Sequence, residues 1–285
     1  LLIPSSATEA IIADPRIAAI TLTGSEATGS KVAAAAGQHL KKAVLELGGS
    51  DPFIVLAGAD LDGAVDFAVK ARYQNTGQSC IAAKRFILVD QIAEEFERRF
   101  TEAVARLPVG DPMQRETRIG PLARGDLRDD LDRQVRDSVA LGARVAQGGH
   151  RLGGRGYFYA PTVLVNVLPT MPAFRQEVFG PVAAVIRVRD ADQAIATAND
   201  SMYGLGGNLW TADLAAGKRL AAQIESGAVF INGMTASDPR LPFGGVKRSG
   251  YGRELSSFGI REFVNIQTVW VGPAQGPAQQ TAPSE

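Results

Sequence analysis

The chain holds a single cysteine among 285 residues. Cys80 ends the polar, glycine-containing run Asn75-Thr76-Gly77-Gln78-Ser79 and precedes the small run Ile81-Ala82-Ala83. A cysteine kept for packing sits more typically inside an apolar periodic pattern. A thiol where a loop passes into a helix gains thiolate character from nearby backbone amides. The context favours a nucleophile over packing, with a helix expected directly after it. A second chemical group is Glu46, at the end of the apolar run Ala43–Leu47 and beside Gly48-Gly49. Burial there would raise its pKa and make it a usable general base; a solvated strand-end glutamate is the alternative. The third feature is Thr23-Gly24-Ser25-Glu26-Ala27-Thr28-Gly29, between a strand and a helix. Its glycines (Gly24, Gly29) permit close backbone approach, and Ser25 with the helix-start amides can hold a phosphate. It lacks the G-x-G-x-x-G spacing, and alone it fits an ordinary strand-to-helix turn better.

The elements that must position these groups alternate between α and β. Ile17–Leu22 is an apolar, β-branched run suited to a buried parallel strand, followed by an Ala-rich helix over Glu26–Leu40. Beyond Gly48 to Asp51 a second block opens with strand Pro52–Leu56 and helix Asp60–Gln74, whose apolar residues share one face. Strand Phe86–Val89 and helices Ile92–Leu107 and Arg124–Leu141 follow. Later strands are expected at Thr162–Val165, Ala183–Val188, Leu205–Trp210 and Ala228–Ile231, with helices Ala191–Asn199 and Ala212–Ile224 between them. The order predicts an α/β fold: a remnant of a doubly wound sheet over 1–48, an α/β domain over 49–246, and a C-terminal segment over 247–285. In that segment Phe263–Val271 has strong β propensity and is expected to pair with a partner subunit or within its own chain. The tail from Gly272, rich in Pro, Gln, Gly and Ala, is expected to be disordered.

Thirty basic and thirty acidic residues leave no net charge, which argues against a nucleic-acid or anionic-membrane partner. The longest apolar stretches, such as Phe53–Leu56 and Val182–Ile186, are far too short for a membrane span. One cysteine excludes an internal disulfide and a cysteine-cluster metal site. His39 and His150 carry no metal-ligand spacing and read as bystanders. No signal peptide is legible, a cytoplasmic location is the default, and the opening Leu-Leu-Ile-Pro reads as a cut end.

In order and interval, these motifs resemble the aldehyde dehydrogenase superfamily. Glu46-Leu47-Gly48-Gly49 and Gly77-Gln78-Ser79-Cys80 carry the resemblance, together with Glu177-Val178-Phe179-Gly180-Pro181-Val182 and Leu241-Pro242-Phe243-Gly244-Gly245-Val246-Lys247-Arg248-Ser249-Gly250. Within the superfamily the likeness is to bacterial succinate-semialdehyde dehydrogenases. It rests on the segments 46–56, Tyr73 to Gln78, Ser249 to Leu255 and Glu262 to Trp270. The resemblance implies oxidation of an aldehyde to its acid with NAD or NADP, Cys80 as nucleophile and Glu46 as base for hydrolysis of a thioester. It places Thr23, Gly24, Ser25, Gly29, Leu47, Glu177 and Phe179 against the cofactor, and Gln74, Ser79, Ile81, Ser237, Arg240 and Phe243 around the aldehyde. Gln74 stands where many such enzymes carry an Arg for the substrate carboxylate, and Arg240, with Ser237, is the expected substitute.

By the same pattern the first third of a subunit lies upstream of Leu1. It would bring a ribose-binding Lys, an oxyanion-stabilising Asn and part of an oligomerisation hairpin. A homodimer or homotetramer is implied at full length, and the 285-residue chain alone is expected to be inactive. Two other classes stay open: a homologue without catalysis, acting in assembly or as a partial gene product, and a cofactor-free cysteine hydrolase. The latter would need a histidine near the thiol.

Overall fold

A computed structural model describes residues 3–272. The chain opens with helix α1 (Thr8–Ala13), strand β1 (Ala19–Thr23), helix α2 (Glu26–Gln38) and strand β2 (Lys42–Glu46). Next come β3 (Asp51–Val55), α3 (Leu61–Tyr73), β4 (Ala83–Val89), α4 (Asp90–Ala105), α5 (Gly125–Ala140), β5 (Arg144–Gln147) and β6 (Thr162–Val165). The remainder holds α6 (Pro172–Arg175), β7 (Val182–Val188), α7 (Ala191–Asn199), β8 (Tyr203–Gly204), β9 (Asn208–Trp210), α8 (Leu214–Ala221) and β10 (Phe230–Ile231). Two two-residue strands, β11 (Val246–Lys247) and β12 (Gly250–Tyr251), precede α9 (Ser256–Glu262).

Seven strands form the main sheet in the order β10-β9-β3-β4-β7-β6-β5, parallel except for the edge pair β5–β6. Its central strands are buried on both faces, which explains why Phe53-Ile54-Val55 and Phe86-Ile87-Leu88-Val89 read as continuous apolar runs. Alternation still divides them. Ile54, Ile87, Leu164 and Ile186 pack on the side of α5, α6 and α7. Phe53, Val55, Phe86, Leu88, Val163 and Val185 pack on the side of α3 and α4. On that second side Phe86 lies between Phe53 and Phe100, with ring centroids 5.3 and 4.9 Å away. Each fully buried Phe contributes about 1.5–3 kcal/mol by leaving water.

A separate three-stranded sheet, β1-β2-β12, has its own small core of Ile12, Val32, Ala36, Leu45 and Leu47. Strands β1 and β2 are parallel, and β12 returns from the C-terminal segment to run antiparallel beside β2. Two-residue strands carry too little periodicity to be legible in the sequence, so this return is a structural finding.

Two expectations need correction. No helix follows Cys80: residues 80–82 form a turn that leads straight into β4. Pairing of β4 with β3 on one side and β7 on the other overrides the helix tolerance of Ile81-Ala82-Ala83. Residues 264–272 form no strand within the chain, and Ile266, Val269, Trp270 and Val271 stand exposed, so the intrachain pairing is overturned. A strand needs a ladder partner, and the sheets among the described residues offer none there. Helix α9, unexpected from the sequence, directly precedes this segment. The expected tail beyond Gly272 lies outside the described residues.

Candidate active site

Strands β1 and β2 end together: Thr23 is the register partner of Glu46, and the Gly24 amide donates to the Glu46 carbonyl at 3.0 Å. The glycine turn and the glutamate thus lie side by side at the carboxyl ends of parallel strands, where α/β sheets bind ligands. Ser25 caps the 13-residue helix α2, accepting from the Thr28 amide at 3.3 Å. Gly24 has open space, with nothing nearer to a would-be Cβ than Leu22 at 3.9 Å. Gly29 is different. A Cβ there would meet the Leu47 methyls at 2.6 Å, so the space it saves is filled by Leu47 in helix–strand packing. Leu47 is buried, and its amide donates to the Ser249 carbonyl.

The Glu46 carboxyl is buried, and its Oε1 has no hydrogen-bond partner in the protein. An orphaned buried acceptor costs stability and calls for an explanation, which a role in catalysis would supply. Burial raises its pKa first; Glu254 and Glu177 raise it further, while Cys80 and Lys84 oppose the shift. Cys80 is half-buried and faces this carboxyl. Burial, then the neighbouring Glu46, pushes its thiol up to about 12. The resting pair is therefore a protonated thiol beside a carboxyl poised to take a proton. The amide-rich helix start expected to favour thiolate is absent, for the reason given above.

The loop before Cys80 is pinned from several directions. Asn75 and Thr76 hold left-handed conformations, φ 50° and 57°, unusual for side-chain-bearing residues. Asn75 Nδ2 donates to the Gln78 carbonyl at 2.8 Å, and Gln78 Oε1 accepts from the Ala123 amide at 2.8 Å. The fully buried Arg72 guanidinium donates to the carbonyls of Gly77, Ala83, Val178 and Gly180, tying this loop to the segment that carries Glu177 and Phe179. Lys84, also fully buried, donates from Nζ to the carbonyls of Ser79 and Cys80 at 2.9 and 2.8 Å.

Glu177 joins the group across 128 residues, its Oε1 accepting from the Gly49 amide at 3.0 Å. The glycine pair makes this possible. A Cβ on Gly48 would lie 2.5 Å from the Glu177 carboxylate, and one on Gly49 would lie 2.6 Å from the Cys80 carbonyl oxygen. Ser249, wholly buried, donates to the Gly48 carbonyl at 2.7 Å and accepts from the Gly204 amide at 3.0 Å, holding the same turn from the far side.

The residues expected near the substrate are placed less uniformly. Ser79 and Ile81 flank Cys80 and are half-buried, as is Gln74 at the end of α3. Phe243, half-buried, exchanges two backbone bonds with Glu254. Ser237 and Arg240 lie on an exposed loop, and the Arg240 guanidinium, 85% exposed, is held by Asp238. No hydrogen bond or ion pair joins Arg240 to the cysteine loop among the described residues. His39 and His150 are exposed, and no group of three or more metal-ligating side chains occurs among the described residues.

Sequence reasoning missed Asp51, Arg72, Lys84, Arg85 and Ser249. A signal existed for two of them: Lys84 and Arg85 interrupt a run that is otherwise wholly apolar from Ile81 to Val89. Buried cations in a central strand need partners. Arg85 finds the carbonyls of Ser50, Thr197 and Ala198, and its side chain spans from β4 to the end of α7.

Residues 3–269 match the aldehyde dehydrogenase family. The chain is 56% identical over 272 residues to succinate-semialdehyde dehydrogenase [NADP(+)] 1 of Mycobacterium ulcerans, covering 95% of this chain and 59% of that one. It is 56% identical over 260 residues to the succinate semialdehyde dehydrogenase [NAD(P)+] Sad of Escherichia coli, covering 91% of this chain and 56% of the relative. Among solved structures, succinic semialdehyde dehydrogenase from Streptococcus pyogenes in complex with NADP+ superposes with a TM-score of 0.93 at 40% identity, covering 95% of this chain and 60% of that one. The chain therefore spans rather more than half the length of the relatives it matches. No helix among the described residues is long and apolar enough to cross a membrane. The site geometry and the match over nearly the whole chain agree: this chain belongs to the aldehyde dehydrogenase family.

Proposed function

We propose that this chain supplies the nucleophile, the base and the nicotinamide-side contacts for oxidation of succinate semialdehyde to succinate with NAD or NADP. One observation carries the reading: a buried carboxyl with an unpartnered oxygen, Glu46, faces the only thiol, Cys80, beside an open strand-to-helix turn. The residues present fit a dinucleotide. Gly24 leaves its backbone open, Ser25 stands at the start of a helix long enough to favour phosphate, and Glu177 offers a carboxylate for ribose hydroxyls. A groove of about 410 Å³ between α1 and α2, lined by Ile12, Val32 and Ala35 together with Thr8, Glu9 and Lys31, has room for an adenine ring. Thr23 and Phe179 would flank the nicotinamide.

In the mechanism, Cys80 loses its proton to solvent water, and the thiolate Sγ attacks the aldehyde carbon, forming a thiohemiacetal whose oxyanion the Cys80 amide stabilises. The bound nicotinamide supplies the two-electron acceptor that takes this carbon to the thioester level. Glu46 then removes a proton from water, which attacks the thioester carbonyl; the acid leaves and Cys80 Sγ is released. The raised pKa of Glu46 suits it to both accept and return that proton. For the far carboxylate of the substrate, Arg240 is the proposed anchor. Its partner Asp238 is on an exposed loop, so the pair is solvent-screened and open to exchange.

Assaying the full-length subunit for NADPH formation with succinate semialdehyde tests the reading; ester hydrolysis without cofactor and no NAD(P)-dependent oxidation would sink it. The same reading takes the full-length subunit to be part of a homodimer or homotetramer. A second reading rests on the sheet that carries Glu46, in which β1 is left as an edge among the described residues. On that reading the 285-residue chain by itself acts in assembly without catalysis. Turnover by residues 1–285 comparable to a full-length relative would remove it.

A further inference from the structure

Three cations are wholly buried behind the cysteine loop: Arg72, Lys84 and Arg85. Arg72 ties the Gly77 carbonyl of the cysteine loop to those of Val178 and Gly180, and Arg85 reaches the carbonyls at the end of α7. Lys84 differs, because both of its hydrogen bonds end on the nucleophile's own turn, at Ser79 and Cys80, and its other near neighbour is the Glu177 carboxylate at 3.7 Å. Glu177 in turn accepts from Gly49, three residues beyond Glu46. One ammonium therefore touches the backbone of the nucleophile and faces the carboxylate assigned above to the ribose. A buried ammonium held mainly by neutral carbonyls keeps most of its field, which reaches both the Glu177 carboxylate and the Cys80 thiol.

We propose that Lys84 is a positioning residue that serves both halves of the site, stabilising the Cys80 thiolate through its charge and setting the Glu177 carboxylate for the cofactor ribose. The proposal rests on the functional reading above and deepens it. The groups facing Cys80 are Glu46 at the end of β2, Asp51 on β3 and Lys84 on β4. Those facing Lys84 are Glu177 before β7, Arg72 on α3, Asp51 and Cys80. Only Lys84 among the groups facing Cys80 favours its thiolate; Glu46 and Asp51 oppose it. The Glu177 carboxylate lies 3.7 Å from the Lys84 ammonium, so the two charges are set against each other beside the cysteine turn.

The test uses the full-length subunit without cofactor and reads the pH dependence of Cys80 alkylation by iodoacetamide, a neutral reagent, alongside NADP+ binding by titration calorimetry. Lys84→Gln keeps a donor for the two carbonyls and removes the charge. It should move the alkylation midpoint up by about one pH unit or more, slowing alkylation about 10-fold below the midpoint, and weaken NADP+ binding about 5-fold or more. Lys84→Arg should restore most of the midpoint. Glu177→Gln leaves Lys84 in place and frees its charge from a carboxylate, so it should move the midpoint down; this variant decides the matter if the Lys84 variants do not fold. An unchanged midpoint in Lys84→Gln, or in Glu177→Gln, overturns the proposal. A shifted midpoint with unchanged NADP+ affinity in Lys84→Gln overturns the link to Glu177. Alkylation needs no aldehyde, so failure of the dehydrogenase reading would appear separately as absent turnover in the wild type.

Discussion

Gly49→Ala is the perturbation whose consequence can be worked furthest. The backbone at Gly49 is not left-handed, so alanine can adopt it and the effect is purely steric. The new Cβ would lie 2.6 Å from the Cys80 carbonyl oxygen and 3.3 Å from Leu205 Cβ. Relief to a tolerable contact of 3.0 Å or an ordinary one of 3.4 Å requires the carbonyl to retreat by about 0.4–0.8 Å. It is not free to do so, because Lys84 Nζ holds that same oxygen at 2.8 Å and the Ser79 carbonyl at 2.9 Å. Misplacement of a reacting group by about 1 Å costs roughly 100-fold in rate, so kcat should fall roughly 10- to 100-fold. Overpacking should also remove about 1–3 kcal/mol of stability. Steady-state kinetics with succinate semialdehyde on the full-length variant, with a melting curve for each protein, measures both. A kcat within 2-fold of wild type at an unchanged melting temperature would refute the reasoning, since it would show that the turn and the cysteine loop have slack.

Cys80→Ala should abolish aldehyde oxidation while leaving NADP+ binding nearly intact, and residual turnover would remove Cys80 from the mechanism. Glu46→Gln should keep a first-turnover burst of NADPH but block steady turnover, because only deacylation needs its base; loss of the burst in stopped flow would assign Glu46 an earlier step. Asp51 is fully buried, and desolvation raises its carboxyl pKa from 3.8 to about 6. The folded state holds its proton more tightly than the unfolded state, so this contribution to stability is complete below 3.8 and is lost as pH rises through about 6. Asp51→Asn should flatten that loss, of the order of 3 kcal/mol at most, and parallel melting curves of the two proteins between pH 4 and 6.5 would contradict it. Arg240→Ala should raise KM for succinate semialdehyde about 10-fold or more while leaving butanal nearly unaffected. Equal effects on both aldehydes would make Arg240 a loop residue only.

Much of the scaffold was legible in the sequence because its central strands are parallel and buried on both faces. That environment demands runs such as Phe53-Ile54-Val55, and helix α7 is bounded as its pattern implied, at Ala191 and Asn199. The thiol and carboxyl proposed here as nucleophile and base, and the glycine turn beside them, could be singled out from the sequence too, because each chemical task admits few residue types at a strand or helix end. Local signals failed where a partner decides the conformation. Ile81-Ala82-Ala83 tolerates a helix, yet Ala83 begins β4, which pairs with β3 and β7; Phe263–Val271 favours a strand but finds no ladder among the described residues. Only the tertiary structure placed Glu177 on the Gly49 amide, Ser249 on the Gly48 carbonyl and Arg240 on Asp238, and only it showed Gly29 filled by Leu47. The clamp of Lys84 on the cysteine turn belongs to the same class: its residues are close in sequence, but its buried charge and its carboxylate neighbour follow from sheet order. Residue type fixes which chemistry a side chain can perform. Which groups lie within 3 Å of it, and how far its charge is shielded from water, depends on strands brought together from positions more than a hundred residues apart.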